Sequence, residues 1–129
     1  MNLIFATQNK NKAEEIAKLL PAGFSIKTLT DIGCFEDIPE TENTLDGNAS
    51  LKSAYVLEKY GIDCFADDTG LEIEALDGEP GVLSARYSGK GTEGNIDLVL
   101  EKMRSITNRR AQFRTVISLR IKGKEFLFE

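Results

Sequence analysis

The sequence contains no histidine and no tryptophan, two cysteines, three prolines, and no apolar run approaching the length of a membrane span. Each absence removes a class of function. Without histidine, a Ser-His-Asp triad, a His metal site and imidazole proton transfer are all excluded within this chain. Cys34 and Cys64 are too few for a disulfide framework and lack metal-ligand spacing, so both are read as reduced thiols. The opening Met1-Asn2-Leu3-Ile4-Phe5 has neither a charged leader segment nor a cleavage site. The expectation is a cytoplasmic protein with no membrane partner.

What is present is ordinary for a globular protein: 129 residues, 41% hydrophobic and 29% charged, which predicts one domain over 1–129. The net charge of −5 hides an asymmetry. Residues 1–101 hold 8 basic and 19 acidic groups, whereas 102–129 hold 8 basic and 2 acidic. The basic tail follows a strand pattern, with Ala111, Phe113, Thr115, Ile117, Leu119 and Ile121 on one face. Arg110, Gln112, Arg114, Ser118, Arg120 and Lys122 alternate with them and are read as the solvent face. No aromatics interleave the basic residues to stack bases, so nucleic acid is not an expected partner.

Leu3-Ile4-Phe5-Ala6 suits a buried central strand. Ala13, Ile16, Ala17 and Leu20 then mark one face of a helix stopped by Pro21 and Gly23. Thr7 to Lys12 is the strand-to-helix turn between them, with Asn9 as N-cap. Its hydroxyl, amides, lysines and helix-start N–H groups (Thr7, Gln8, Asn9, Lys10, Asn11, Lys12) make a candidate phosphate cradle, though not a glycine-rich Walker loop. Phe24 to Leu29 alternates as a second strand. The acidic stretch from Asp31 to Asn43 offers hard oxygen donors for a cation such as Mg²⁺. Thr44 caps a long helix to Tyr60, stopped by Gly61, and places Asn48 and Lys52 one turn apart on one face. A third helix starts near Thr92 and Glu93. Lys122-Gly123-Lys124 is a hairpin turn into a last strand.

Between the second and third helices, Ile62 to Ala66 leads into Asp67-Asp68-Thr69-Gly70, read as a turn closed by its glycine. Adjacent residues on extended chain face opposite ways, so only one of the two aspartates should reach a given site. Carboxylates at the end of a buried strand are a frequent place for a metal ligand or catalytic base.

Three separated motifs make the chain resemble the noncanonical purine nucleoside triphosphate pyrophosphatases, the inosine triphosphatase or Ham1-like family. They are T-x-N-x-x-K at Thr7, Asn9 and Lys12; E-T-x-x-T-x-x-x-N-A-x-x-K at Glu40-Thr41, Thr44, Asn48-Ala49 and Lys52; and A-D-D-T-G-L at 66–71 with G-x-P-G-x-x-S-A-R-Y at 78–87. The family's later G-F-G-Y-D-P and S-H-R segments do not occur, so the resemblance reads the chain as the N-terminal two-thirds of such an enzyme, truncated at its C-terminus. It implies an α/β fold: an elongated mixed sheet with flanking helices, in two lobes around a central cleft. It implies hydrolysis of ITP, dITP and XTP to monophosphate and pyrophosphate, with Mg²⁺ as cofactor and a homodimeric assembly. By resemblance, Asp68 would be catalytic, as metal ligand, water-orienting group or base, with Glu40 as second metal carboxylate and Glu42 in reserve. Thr7, Asn9, Asn48 and Thr69 would bind phosphate oxygens, and Lys12 and Lys52 would supply charge. The other readings are an inactive triphosphate-binding fragment and a Maf-type nucleotide pyrophosphatase.

Overall fold

The computed structural model describes residues 1–129 as one five-stranded mixed sheet with helices on both faces. The chain runs β1 (Asn2–Phe5), α1 (Lys10–Ala17), β2 (Ser25–Thr28), α2 (Leu45–Tyr60), β3 (Cys64–Ile73), α3 (Gly91–Lys102), β4 (Ala111–Ile121) and β5 (Lys124–Phe128). The strand order is β2-β1-β3-β4-β5, with β2, β1 and β3 parallel and the β3–β4 and β4–β5 pairs antiparallel.

The apolar residues of β1 are buried because the strand lies between two parallel neighbours and is covered on both faces. Leu3, Phe5 and Phe65 pack with Ala13 of α1, and the Phe5 and Phe65 rings stack with centroids 4.5 Å apart. Ile4, Ala6, Cys64 and Ala66 pack with Val56 of α2 on the opposite face. The crossover through α1 therefore places β2 on one side of β1, and the crossover through α2 places β3 on the other. That change of direction opens a crevice at the carboxyl end of β1, beside the middle of the longer β3, close to the position where open α/β sheets bind ligands.

Local chemistry sets the helix limits. Asn9 Oδ1 accepts the Lys12 N–H at 3.1 Å, and Thr44 Oγ1 accepts the Gly47 N–H at 2.9 Å. Gly61 ends α2 in the left-handed conformation, φ 62°. Helix α1 stops at Ala17, a turn short of the expected Leu20, where the Lys18 N–H already closes on Glu14 and Ile16. No helix is long and apolar enough to cross a membrane.

Two expectations need correction. Asp67-Asp68-Thr69-Gly70 is not a turn, because β3 passes straight through it and pairs with β4 from Cys64 to Ile73. Gly70 is required there for space: a Cβ would fall on the Gly81 carbonyl and within 2.8 Å of the Gly81 carbonyl carbon. The face of β4 read as solvent-exposed is instead the one that packs on α2, with Val116 and Ser118 buried, while Phe113 and Thr115 lie exposed. The polar residues on that inner face are tolerated because they have partners. Arg120 Nε donates to Ser53 Oγ at 2.7 Å and Arg120 Nη2 to Glu125 at 2.7 Å; Ser53 and Ser118 share a 2.7 Å hydrogen bond; Arg114 pairs with Glu72 and Asp46 at 3.3 and 3.4 Å.

Candidate active site

The crevice is a cleft of about 450 Å³ lined by Ala6, Thr7, Gln8, Asn9, Leu29, Asp37, Ile38, Glu40, Lys52 and Arg86. Four segments far apart in sequence meet here: the turn after β1, the acidic loop before α2, one face of α2, and the 3-10 turn Gly81–Arg86. That last turn packs on β3. Ser84 Oγ accepts the Leu71 N–H at 2.9 Å and donates to the Gly81 carbonyl at 2.6 Å.

Lys52 is the central cation. Its ammonium lies 3.1 Å from Glu40 Oε1 and donates to the Asp67 carbonyl at 2.5 Å. Arg86 approaches Glu40 from the other side, 3.5 Å from Oε2, and donates to its carbonyl at 3.3 Å. Asp68 leaves β3 on the α2 face, among Lys52, Glu40 and Asn48. Its Oδ2 is buried with no hydrogen-bond partner. Burial pushes the Asp68 carboxyl above its ordinary pKa; the nearby Lys52 ammonium opposes the rise and the Glu40 carboxylate adds to it. Buried Asn48 accepts the Glu42 N–H on Oδ1 at 2.9 Å, which fixes the acidic loop, while its Nδ2 has no partner.

Asp67 points the other way, as strand alternation requires. Its Oδ2 holds the Lys12 ammonium at 2.8 Å. The structure thus brings Thr7, Gln8, Asn9, Glu40 and Lys52 to the cleft and seats Asp68 and Asn48 behind it. Lys12 is outside the cleft lining, paired with Asp67 on the α1 side of β3. Gln8 is already engaged: its Nε2 donates to the Cys34 and Glu36 carbonyls at 3.3 Å each, and its Oε1 accepts from Thr30. Lys10 and Asn11 are exposed on the first turn of α1, outside the cleft lining. Thr69 is exposed and shares a 2.8 Å hydrogen bond with Thr115. Glu42 contributes its main-chain N–H to the site. Tyr87 sits apart, donating to Glu79 at 2.8 Å with Lys102 over its ring.

Sequence reasoning left Arg86 unassigned and missed Asp67 as a partner for Lys12. Arg86 carried a signal, since it lies in the G-x-P-G-x-x-S-A-R-Y motif. Asp67 carried none, because the contact spans 55 residues.

The Ham1 family model matches residues 3–129 of the chain. The chain is 55% identical over 130 residues to the dITP/XTP pyrophosphatase of Flavobacterium johnsoniae, covering 99% of this chain and 68% of that protein. It is 57% identical to the dITP/XTP pyrophosphatase of Flavobacterium psychrophilum, with the same shares covered. Among solved structures, the Staphylococcus aureus Ham1 protein superposes with a TM-score of 0.90 at 34% identity, over 99% of this chain and 68% of that one. A HAM1 protein from Coxiella burnetii gives 0.90 at 32% identity, over 98% and 68%.

Proposed function

Given that the chain belongs to the Ham1 family, we propose that it hydrolyses noncanonical purine nucleoside triphosphates (ITP, dITP and XTP) to monophosphate and pyrophosphate, clearing deaminated purines from the nucleotide pool. The observation that carries this reading is Asp68: a carboxyl with one buried, unpartnered oxygen, raised in pKa, beside a lysine and just past the point where β1 ends and β3 runs on. A carboxylate in that state is a better proton acceptor than one in water.

In the reaction, water attacks the α-phosphorus, the bond to the α–β bridging oxygen breaks, and pyrophosphate leaves with the electron pair. Asp68 takes the proton of the attacking water. Lys52, Lys12 and Arg86 offset the charge of the phosphates, with the N–H groups that open α1 adding to them. Thr7 and Asn9 line the cleft where they orient the phosphate chain.

The donors fit a hard divalent cation. Asp68 has an oxygen without a hydrogen-bond partner, and Glu40, the neighbouring carboxylate, would exchange its Lys52 and Arg86 contacts for the ion. No group of three or more acidic, His or Cys side chains is placed to hold an ion alone, so water and phosphate would complete the shell, as Mg²⁺ prefers. Asp68 and Glu40 would hold Mg²⁺, which supplies further charge neutralisation to the polyphosphate. In this reading the enzyme works in the cytoplasm on free nucleotides, without nucleic acid or membrane partners. A homodimer is supported by the exposed apolar side chains Ile96, Leu100 and Phe113.

The test is pyrophosphate release from dITP, XTP and dATP by wild type and Asp68→Asn. Wild type releases pyrophosphate from the first two, and the variant is slower by about 10³-fold or more, within the range for loss of a general base. A variant within tenfold of wild type overturns the role of Asp68, and a wild type inert toward dITP and XTP overturns the function.

A further inference from the structure

We propose that Asp67 is a positioning residue that holds both lysines assigned to the triphosphate, Lys12 through its carboxylate and Lys52 through its carbonyl; the inference rests on the function proposed above. Asp67 is nearly buried, and its two contacts lie on different parts of the residue. Oδ2 meets Lys12 Nζ at 2.8 Å, and the main-chain oxygen accepts from Lys52 Nζ at 2.5 Å.

The second contact follows from where β1 ends. The Ala6 N–H donates to the Phe65 carbonyl at 2.8 Å, the last rung between β1 and β3. Carbonyls two residues apart on a strand point to the same edge, so the Asp67 carbonyl points to the edge that β1 has just left. The chain turns away there, with the Thr7 N–H folding back to the Phe5 carbonyl at 2.7 Å. Lys52 supplies the donor that the missing strand would have given.

The first contact draws Lys12 toward the sheet from the α1 side. An ammonium has three donors, and Asp67 takes one from a side chain that stays 40% exposed. The remaining N–H groups are free for a phosphate oxygen. A long flexible lysine is thereby held in one place before the ligand arrives, and the ordering cost is met by the fold.

Limited acetylation with acetic anhydride, read at each lysine by peptide mass, tests the clamp directly; steady-state kinetics on dITP test its use. In Asp67→Asn, Lys12 labels about fivefold faster relative to Lys18, while Lys52 is unchanged because its carbonyl partner remains. KM for dITP rises about tenfold with kcat within about threefold, as expected for lost binding rather than lost chemistry. The double variant with Lys12→Met has a KM within about twofold of Lys12→Met alone, because the two residues act as one unit. Should Asp67→Asn not fold, Lys12→Met compared with Lys18→Met keeps the question open to measurement: KM rises in the first and not the second. Unchanged Lys12 labelling in Asp67→Asn, additive effects on KM, or a normal KM in Lys12→Met each overturn the proposal. A wild type that releases no pyrophosphate overturns the function instead, and the labelling comparison still decides the clamp.

Discussion

Gly70→Ala tests how the strand carrying the aspartates supports the arginine across the cleft. Gly70 has no unusual φ, so any cost comes from contact alone. An added Cβ would stand 2.8 Å from the Gly81 carbonyl carbon and 3.2 Å from its Cα, and nearer still to the oxygen. All three are main-chain atoms, so no side chain can rotate out of the way. Overpacking of this kind costs about 1–3 kcal/mol. The forced shift also breaks the Leu71 N–H to Ser84 hydrogen bond, worth about 1 kcal/mol. The total, about 2–4 kcal/mol, is a large part of a stability typically about 5–15 kcal/mol. Gly78→Ala is the contrast: φ is +88° with open space around it, so only backbone strain of about 1–2 kcal/mol applies. Urea unfolding at constant m reads both. Because the displaced turn carries Arg86, Gly70→Ala also raises KM for the triphosphate while Gly78→Ala does not. A Gly70→Ala protein within about 0.5 kcal/mol of wild type, or one less affected than Gly78→Ala, refutes the close-approach argument.

Asp68→Asn is expected to lose activity and gain stability at neutral pH. The folded pKa of Asp68 lies above its ordinary 3.8, so its ionisation penalises the native state as pH rises through the folded value and not below the unfolded one. The gain over wild type therefore shrinks toward zero as pH falls below 3.8, and thermal unfolding at neutral pH and at acid pH checks this. Thr44→Ala removes the N-cap of α2 and should cost about 1 kcal/mol, read by the urea midpoint. Thiol titration should find Cys34 and Cys64 unreactive in the native protein and both reactive once unfolded. Both are fully buried, and desolvation pushes the Cys64 thiol up to about 11.

Helix α2 was legible almost to the residue, because its limits are written in local chemistry: a threonine that accepts an N–H at one end and a left-handed glycine at the other. The spacing of Asn48 and Lys52 was legible for the same reason. The role of Gly70 was not, since a glycine after two aspartates reads as a turn unless the approaching Gly81 backbone is known. The buried face of β4 was misread because period-two patterning ranks residues by polarity. Ser118 and Arg120 become buriable only through Ser53 and Glu125, partners supplied by other elements. The same limit hid the Asp67–Lys12 pair. Local motifs announce which groups a site has; tertiary contacts decide which of them are free.

The unequal lengths of β1 and β3 have a mechanical consequence. Beyond Phe65, β3 has left β1 behind and continues to Ile73 paired with β4, while the segment from Glu79 to Ser84 bonds its other edge. Past Asp67, where β5 also ends, β3 and β4 run on as a two-stranded ribbon for about 20 Å at about 3.3 Å per residue, a beam braced on one face by α2 through Leu45, Ala49 and the Asp46–Arg114 pair. The turn with Arg86 rides on that beam, whereas Thr7 and Asn9 are fixed at its root. A tilt at the root would have to pull Val116 away from Leu45 and Ala49 and stretch the Arg114–Asp46 pair. The width of the cleft is therefore set by this brace as much as by the sheet, and α2, which carries Lys52, is the part that sets it.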